Sequence, residues 1–222
     1  MSALPWLRRL WRAADRALLD VCYPEDAVCL VCGRASGGET LCTRCTDLLE
    51  GELLQAGETE CRAVWHYGGP AGALVRMLKE NGVAAAAGPL TDGMAELLPE
   101  LGTQPDTVIT WVPMPPLRRG ERGIDHGEVL ARAVAERAGL TVRPLLRRNV
   151  RDMKTQRGLS RGERLENIRG KFEPLGGVPA DCLIVDDVTT SGATMNECRE
   201  TLLEAGAQRV SLLAACASVL DG

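Results

Sequence analysis

Two hydrophobic patterns alternate along most of the chain. Short apolar runs predict buried strands over residues 63–67, 106–112, 142–146, 183–185 and 209–217. Between them, apolar residues recur with helical spacing over 71–80, 84–98, 127–138 and 195–205. A further helix is predicted over 47–55. Because parallel strands are joined by crossover helices, this alternation predicts an α/β fold with a doubly wound, mostly parallel sheet.

A separate apolar stripe near the amino terminus predicts an amphipathic helix over residues 4–20. Trp6 and Trp11 lie on the stripe, and the arginines of this segment lie mostly off it. A basic helix of this kind suits either a membrane surface or a docking site on its own domain or a partner protein. We favour docking on protein.

One predicted strand leads into a stretch that carries chemistry. After the apolar run 183–185 come the acidic pair Asp186 and Asp187, then the turn Thr190-Ser191-Gly192-Ala193-Thr194, and then a helix. Ligands of parallel sheets bind beyond the carboxyl ends of the strands. Unpaired N–H groups at the start of a helix carry partial positive charge and suit a phosphate monoester. The hydroxyls of the turn add donors, and its glycine permits close approach of the backbone.

The acidic pair needs a different partner, because two carboxylates repel a phosphate. Asp186 and Asp187 suit the vicinal hydroxyls of a ribose, or a magnesium ion that bridges ribose and diphosphate. The stretch therefore predicts a cradle for a ribose 5-phosphate. The alternative is an ordinary strand–loop–helix unit with a capping loop, which requires neither the acidic pair nor the run of hydroxyls.

Two Cys-x-x-Cys motifs predict a metal site closer to the amino terminus. The four candidate ligands are Cys29, Cys32, Cys42 and Cys45. Four thiolates suit a tetrahedral zinc ion, and zinc binding can supply on the order of 10 kcal/mol to a segment too small to fold on apolar burial. A redox dithiol is less favoured, because it needs only one such motif. Cys22 and Cys61 flank the site and are assigned to neither role.

Composition limits the class of protein. The chain of 222 residues is 45% hydrophobic with a net charge of −4, which is ordinary for a globular protein. One Phe, two Tyr and four Trp argue against a base-stacking platform for nucleic acid. No stretch approaches the ~20 apolar residues of a membrane span, and the amino terminus does not resemble a secretory signal. We therefore expect no transmembrane segment, a cytoplasmic location, and cysteines that serve as metal ligands or buried thiols.

Two basic segments interrupt this acidic chain. The loop over 117–126 follows a strand end and carries Arg118 and Arg122, so it suits an anion. Residues 143–171 hold ten Lys or Arg against three Asp or Glu. The early part of that segment lacks an apolar period and predicts a mobile binding loop or lid. The basic residues assigned to this loop are Arg147, Arg148, Arg151, Lys154 and Arg157.

In this order the parts resemble the ComF family, called GntX in some bacteria. In that family a four-cysteine zinc ribbon precedes a type I phosphoribosyltransferase domain. The stretch 183–195 resembles the phosphoribosyl diphosphate (PRPP) motif of that enzyme class, and with the ribbon it is the specific part of the match. The remaining matches are Leu78-Lys79, Val112-Pro-Met-Pro115, Arg122-Gly-Ile-Asp-His126 and the run over 155–167.

The resemblance implies roles for individual residues. PRPP would bind at Asp186, Asp187, Thr189, Thr190, Ser191, Gly192, Ala193 and Thr194, with the acidic pair as catalytic residues. Its diphosphate, which carries magnesium, would face Pro113, Met114, Pro115, Arg118, Arg122 and Lys79. Lys79 also suits a plain solvated cation at the end of a helix.

The resemblance also implies an organisation and a choice of functions. The expected segments are the amphipathic helix over 1–21, the zinc ribbon and a linker helix over 22–60, and a phosphoribosyltransferase-like domain over 61–222. One function is phosphoribosyl transfer to an unknown acceptor, linked to DNA uptake in natural competence. The alternative is a non-catalytic competence factor that senses PRPP or binds single-stranded DNA, and a competence helicase is an implied partner.

Three features depart from the ComF pattern. The family usually has Arg-Gly-Phe-Asn-Gln over the positions 122–126, so Asp125 brings a negative charge where an amide is usual and is expected to alter what this loop binds. Ser191 stands where threonine is commoner. Many relatives carry a further cysteine pair after the ribbon, where this chain has Cys61 alone.

Overall fold

The computed structural model describes residues 28–49, 51, 54–56, 60–115, 124–149 and 170–218. They fall into two compact units, which divide between Asp47 and Leu48. The predicted helix over 4–20 lies outside the described residues. Within these described ranges, no helix has both the length and the apolar composition that a membrane crossing requires.

The described part of the first unit, residues 28–47, consists mainly of turns. Val28 and Ala35 form an antiparallel bridge, and helix α1 spans Thr43–Asp47. The buried apolar side chains of its described part are Cys29, Leu41, Cys42 and Cys45. These four side chains bury too little apolar area to hold the described residues 28–47 together by themselves.

The second unit contains a six-stranded sheet with the strand order β1-β2-β8-β7-β3-β4. Its strands are β1 Leu54–Gln55, β2 Arg62–His66, β3 Val108–Trp111, β4 Thr141–Val142, β7 Asp181–Thr189 and β8 Arg209–Ala217. Neighbouring strands are parallel except for β1, which pairs antiparallel with β2 at one edge. The predicted α/β fold with a mostly parallel sheet is confirmed, and β7 and β8 lie at its centre.

Helices connect the parallel strands. They are α2 Gly69–Asn81, α3 Ala87–Glu96, α4 His126–Ala138 and α5 Ala193–Glu204, with short 3₁₀ turns at Ala84–Ala86 and Leu98–Leu101. Glycines in the left-handed conformation end α2 at Gly82 and α4 at Gly139, with φ of 64° and 68°. That conformation disfavours residues with a Cβ, so these two glycines act as helix stops.

Helices cover both faces of the sheet. Helix α5 buries Met195, Cys198 and Leu202 in one apolar cluster with Cys182 and Ile184 of β7. Helices α3 and α4 pack on each other, and α4 also contacts β3 and β7. Because successive side chains of a strand point to opposite faces, β7 can contact the helices on both faces of the sheet.

A two-stranded antiparallel ribbon lies beside the main sheet. It pairs β5 Leu146–Arg148 with β6 Phe172–Pro174. The prediction of one strand over 142–146 is wrong, because β4 ends at Val142 and β5 begins at Leu146. Pro144 has no N–H to donate, and the N–H of Leu145 bonds to the Thr110 hydroxyl at 3.1 Å rather than to a strand carbonyl.

The predicted helix over 47–55 is also wrong. Its last two residues, Leu54 and Gln55, form β1, which pairs with Ala63 and Arg62 of β2. The segment thereby satisfies the outer edge of β2, which would otherwise leave backbone N–H and C=O groups unpaired.

Candidate functional site

Strand β7, a turn and helix α5 form the framework of the candidate ligand site. The strand runs through Thr189, four residues beyond the predicted end at Val185, because β8 continues to pair with it as far as Thr189 opposite Ala217. After the turn, Gly192 has φ of 74° and precedes the first residue of α5. A left-handed residue at this point lets the chain reverse directly into the helix. The start of α5 therefore lies at the carboxyl edge of a parallel sheet, as the sequence predicted.

The hydroxyl side chains of this stretch differ in exposure. Thr190 is exposed, and Ser191 and Thr194 are half-buried. The Ser191 hydroxyl oxygen accepts a long 3.4 Å bond from the Ala193 N–H. Thr189 is buried instead, and its backbone oxygen accepts the N–H of Ser218 at 2.8 Å. Three hydroxyls thus lie where a ligand can reach them, whereas Thr189 belongs to the interior.

The acidic pair lies inside β7, at the level where β3 has already ended. The last bond between the two strands runs from the Val112 N–H to the Val185 oxygen at 3.2 Å, and Pro113 then has no N–H. Freed from a strand partner, the Asp187 N–H donates to Asp186 Oδ1 at 2.9 Å. The end of β3 therefore opens a gap in the sheet at the acidic pair.

The two carboxylates have different surroundings. Burial, followed by the adjacent charge of Asp187, raises the pKa of Asp186 well above its ordinary value. Burial also raises the pKa of the Cys61 thiol to about 12, a hydrogen bond from Thr189 opposes that shift, and the charge of Asp186 adds to it. Asp186 is half-buried and its charge acts on the buried Cys61 and Cys198 thiols, so that charge is costly there without a cation or hydroxyl partner.

Asp187 has a cationic partner. Lys79 lies in the last turn of α2, and its Nζ is 2.9 Å from Asp187 Oδ1. The same oxygen accepts the Val188 N–H at 2.6 Å. The structure thus joins Lys79, which the sequence assigned to the diphosphate, to the acidic pair.

The predicted diphosphate loop is held by Asp125. Pro113, Met114 and Pro115 follow β3 in a half-buried loop. Asp125 is buried, and its carboxylate accepts the Met114 N–H at 3.2 Å and the Glu128 N–H at 3.3 Å. It is therefore the N-cap of α4 as well as the anchor of the loop. Arg118 and Arg122 lie outside the described residues.

The predicted mobile basic loop needs a correction at its start. Arg147 and Arg148 lie in β5, where they pair with Glu173 and Phe172 of β6 in the ribbon. The Arg147 guanidinium bonds to Glu173 Oε2 at 2.7 Å, and Arg148 lies 5.0 Å from the centre of the Phe172 ring. Three-residue strands are too short to show an alternating pattern, so the sequence did not reveal them. Arg151, Lys154 and Arg157 lie outside the described residues.

The four predicted metal ligands lie together in the first unit. The sulfur atoms of Cys29, Cys32, Cys42 and Cys45 all lie within 4.8 Å of one another. The Cys32 and Cys42 sulfurs are 3.6 Å apart, close to the ~3.8 Å that tetrahedral Zn–S bonds of about 2.3 Å impose. Burial opposes ionisation of Cys29, but bonds from backbone N–H groups, led by that of Cys32, lower its pKa to about 6. The donor set and its spacing fit a tetrahedral metal ion.

Sequence reasoning missed the role of Asp125 and the partner of Lys79. The role of Asp125 was predictable from the sequence. Asp125 precedes a helical pattern and Glu128 follows three residues later, which is the spacing of an N-terminal cap. The partner of Lys79 was not predictable, because Lys79 and Asp187 belong to different elements far apart in the chain. They meet only through the packing of α2 on the sheet.

The chain resembles known proteins both in structure and in sequence. No protein-family model matches it. Of the solved structures, glutamine phosphoribosylpyrophosphate amidotransferase from B. subtilis aligns over 58% of this chain and 26% of its own, with 21% identity and a TM-score of 0.40. A hypoxanthine phosphoribosyltransferase from Staphylococcus aureus aligns over 58% of this chain and 61% of its own, with 10% identity and a TM-score of 0.38.

Two curated relatives cover far more of the molecule. Both are named DNA utilization protein YhgH. The protein from Salmonella typhimurium is 31% identical over 208 residues, and the one from Salmonella typhi is 30% identical over the same length. Each alignment covers 85% of this chain and 89% of the relative. At this identity and coverage, the chain belongs to the family of the DNA utilization protein YhgH.

Proposed function

We propose that this protein is a PRPP-binding phosphoribosyltransferase of the ComF type. One observation carries the proposal: an acidic pair, an accessible hydroxyl turn and a helix start lie in one continuous strand–turn–helix unit at the carboxyl edge of a parallel sheet. The helix start and the turn suit the 5-phosphate, and Asp186 and Asp187 suit the ribose hydroxyls. A strand–turn–helix connection without a ligand gains nothing from a charge that is as unfavourable as that of Asp186.

The proposed reaction is a displacement at the anomeric carbon of PRPP. The bond between the anomeric carbon and the diphosphate oxygen breaks, and its electron pair leaves with the diphosphate. The acceptor's nucleophilic atom forms the new bond to that carbon, and the acceptor's proton passes to the leaving diphosphate or to water. Positive charge develops on the ribose, so carboxylates beside the ribose hydroxyls stabilise the transition state. Magnesium would enter with the diphosphate of the substrate, and it would neutralise the charge of the leaving group.

The choice of the first acceptor to test rests on a different observation. The family relatives are named for DNA utilization, and the ComF resemblance adds DNA uptake in natural competence. A single-stranded DNA is therefore the first acceptor or binding partner to try. A protein that binds PRPP and DNA without transferring the phosphoribosyl group is the second candidate.

The proposal predicts that PRPP binding depends on the acidic pair. Isothermal calorimetry of the full chain with PRPP and magnesium should give binding that the Asp186→Asn/Asp187→Asn variant loses by tenfold or more, about 1.4 kcal/mol or above. A matched control neutralises two exposed carboxylates of α5 in Glu200→Gln/Glu204→Gln and should bind as the wild type does. Undiminished binding by the first variant would reject the assignment.

A diphosphate-release assay separates the enzyme from the sensor. Wild-type protein with PRPP and magnesium is mixed with single-stranded oligonucleotide, with nucleobases or with no acceptor. Release that depends on an acceptor supports transfer. Binding of PRPP in the calorimeter without release for any acceptor supports the sensing function instead.

We further propose that the metal of the first unit is a structural zinc ion. Four thiols at tetrahedral spacing leave no open coordination position for a substrate, as is typical of structural zinc sites. Zinc would also supply stabilisation that the small apolar core of the described residues 28–47 lacks.

A further inference from the structure

The contact between Lys79 and Asp187 has a role in the candidate site that neither residue reveals alone. Lys79 comes from the carboxyl end of α2, where a cation is stabilised by the helix dipole. Its side chain is 27% exposed and that of Asp187 is 11% exposed, so the pair is only partly open to water. Loss of one partner from such a pair leaves the other charge poorly solvated.

The contact fixes the orientation of the Asp187 carboxylate. Among the described residues, both the Lys79 ammonium and the Val188 N–H bind Oδ1, at 2.9 Å and 2.6 Å. The second oxygen, Oδ2, is thereby held in one direction and is left for a ligand hydroxyl. Without Lys79, only the Val188 N–H would hold the carboxylate, so its rotation would cost less and Oδ2 would be held less firmly.

The contact also alters the charge that a ligand meets. Asp186 and Asp125 are neighbouring carboxylates of the site. The charge of Asp125 helps to raise the pKa of Asp186, although burial and the charge of Asp187 have larger effects. Ribose 5-phosphate and PRPP both carry a negatively charged 5-phosphate, and magnesium would offset the charge of the PRPP diphosphate. A cation beside Asp187 lowers the repulsion that such a ligand experiences on approach.

We propose that Lys79 is a positioning residue, which acts through Asp187 to present one carboxylate oxygen to the ribose of the ligand. This inference rests on the proposed PRPP site. It differs from the sequence-based assignment of Lys79 to the diphosphate, because a residue that acts through Asp187 affects ligands with and without a diphosphate alike.

A double-mutant cycle with two ligands tests this. Calorimetry measures ribose 5-phosphate, and separately PRPP with magnesium, on wild type, Lys79→Met, Asp187→Asn and the double variant. Lys79→Met should weaken both ligands to a similar extent, by about tenfold. In the Asp187→Asn background the same substitution should change affinity by less than about twofold, because the partner carboxylate is gone.

Three outcomes would overturn the inference. Lys79→Met could bind both ligands as the wild type does, it could weaken PRPP alone, which indicates a direct diphosphate contact, or it could weaken binding equally in the Asp187→Asn background. If the wild type binds neither ligand, the proposed function fails first. Thermal unfolding identifies a variant that does not fold, and Lys79→Gln, which keeps a hydrogen-bond donor, then replaces Lys79→Met in the cycle.

Discussion

At the scale of single residues, the site depends on carboxylates whose bonding to the backbone decides their role. Asp125 looked from the sequence like a charge directed at a ligand, but the structure shows it buried and bonded to two backbone N–H groups. Asp187 uses one oxygen for Lys79 and Val188. The same side-chain type thus serves as a structural anchor in one place and as a ligand candidate in the other.

Asp125→Asn should therefore destabilise the protein, although asparagine is usual at the corresponding position of the ComF family that the sequence resembles. An amide has one oxygen, so only one of the N–H groups of Met114 and Glu128 keeps its acceptor and the other faces an NH₂ group. We expect a loss of about 1 kcal/mol in the free energy of unfolding, and about 2 kcal/mol for Asp125→Ala, which removes both acceptors. Urea denaturation measures both. Equal stability of wild type and Asp125→Asn would show that one of the two bonds contributes nothing.

The candidate site was predictable where one continuous stretch carries it. The pattern of residues 183–194 predicts a strand, an acidic pair, a turn and a helix, and the structure contains these elements in that order. The cation at Asp187 was not predictable, because nothing in the local pattern around Lys79 distinguishes it from a solvated lysine. Its partner is decided by how α2 packs on the sheet, which no local spacing encodes.

At the scale of elements, long strands and helices were predicted and short strands were not. Strand β8 occupies the predicted range 209–217, and α4 begins one residue before its predicted start. Strands β1, β4 and β5 have only two or three residues. Such strands show no period, and they form because a neighbouring edge offers unpaired backbone groups. Tertiary pairing rather than local preference therefore decides them.

One cross-strand pair fixes the central strands at their amino ends. Asp181 of β7 lies opposite Arg209 of β8, which bonds to both of its oxygens, and the Thr107 hydroxyl donates to Oδ2 at 2.6 Å. Burial alone would raise the pKa of Asp181, but the bonds from Arg209 and Thr107 outweigh it and lower the pKa below its ordinary value. The pair therefore links the register of β7 and β8 to the segment before β3.

Arg209→Met should reduce stability in a pH-dependent way. The folded-state pKa of Asp181 is lower than its unfolded-state pKa, so its stabilisation is complete above the unfolded value and is lost as the pH falls through the folded value. Because Arg209 is 41% exposed, solvent screening limits the expected loss to about 1 kcal/mol at pH 7. The difference from wild type should shrink at pH 3.

Urea unfolding at pH 7 and at pH 3 measures this difference. Arg132→Met is the control, since Arg132 is 54% exposed, pairs with Glu128 within α4 and lies 5.6 Å from the centre of the Trp111 ring, and it should change stability by less than about 1 kcal/mol at either pH. A loss for Arg209→Met that is the same at both pH values would contradict the assignment of the effect to Asp181.

At the scale of the whole molecule, the two units are stabilised by different means. The unit from Leu48 onward has a conventional core, with leucines such as Leu74, Leu90, Leu130 and Leu213 fully buried between helices and sheet. The unit up to Asp47 buries three cysteines and one leucine in its described part. The buried side chains of the described residues therefore predict that the second unit is stabilised by apolar burial and residues 28–47 by a bound metal.

Zinc removal should unfold the first unit selectively. We expect metal analysis to find zinc and protein in equal amounts, and the Cys42→Ser variant to lose the metal, because zinc binding supplies on the order of 10 kcal/mol that nothing else among the described residues 28–47 replaces. Hydrogen exchange with mass spectrometry should then show rapid exchange of the Leu30 amide, which otherwise donates to Thr40, and unchanged protection of β7 and β8. Cys182→Ala, which alters a buried cysteine of the sheet, should keep the zinc. A metal-free wild-type protein with a fully protected first unit would show that the four thiols serve another purpose.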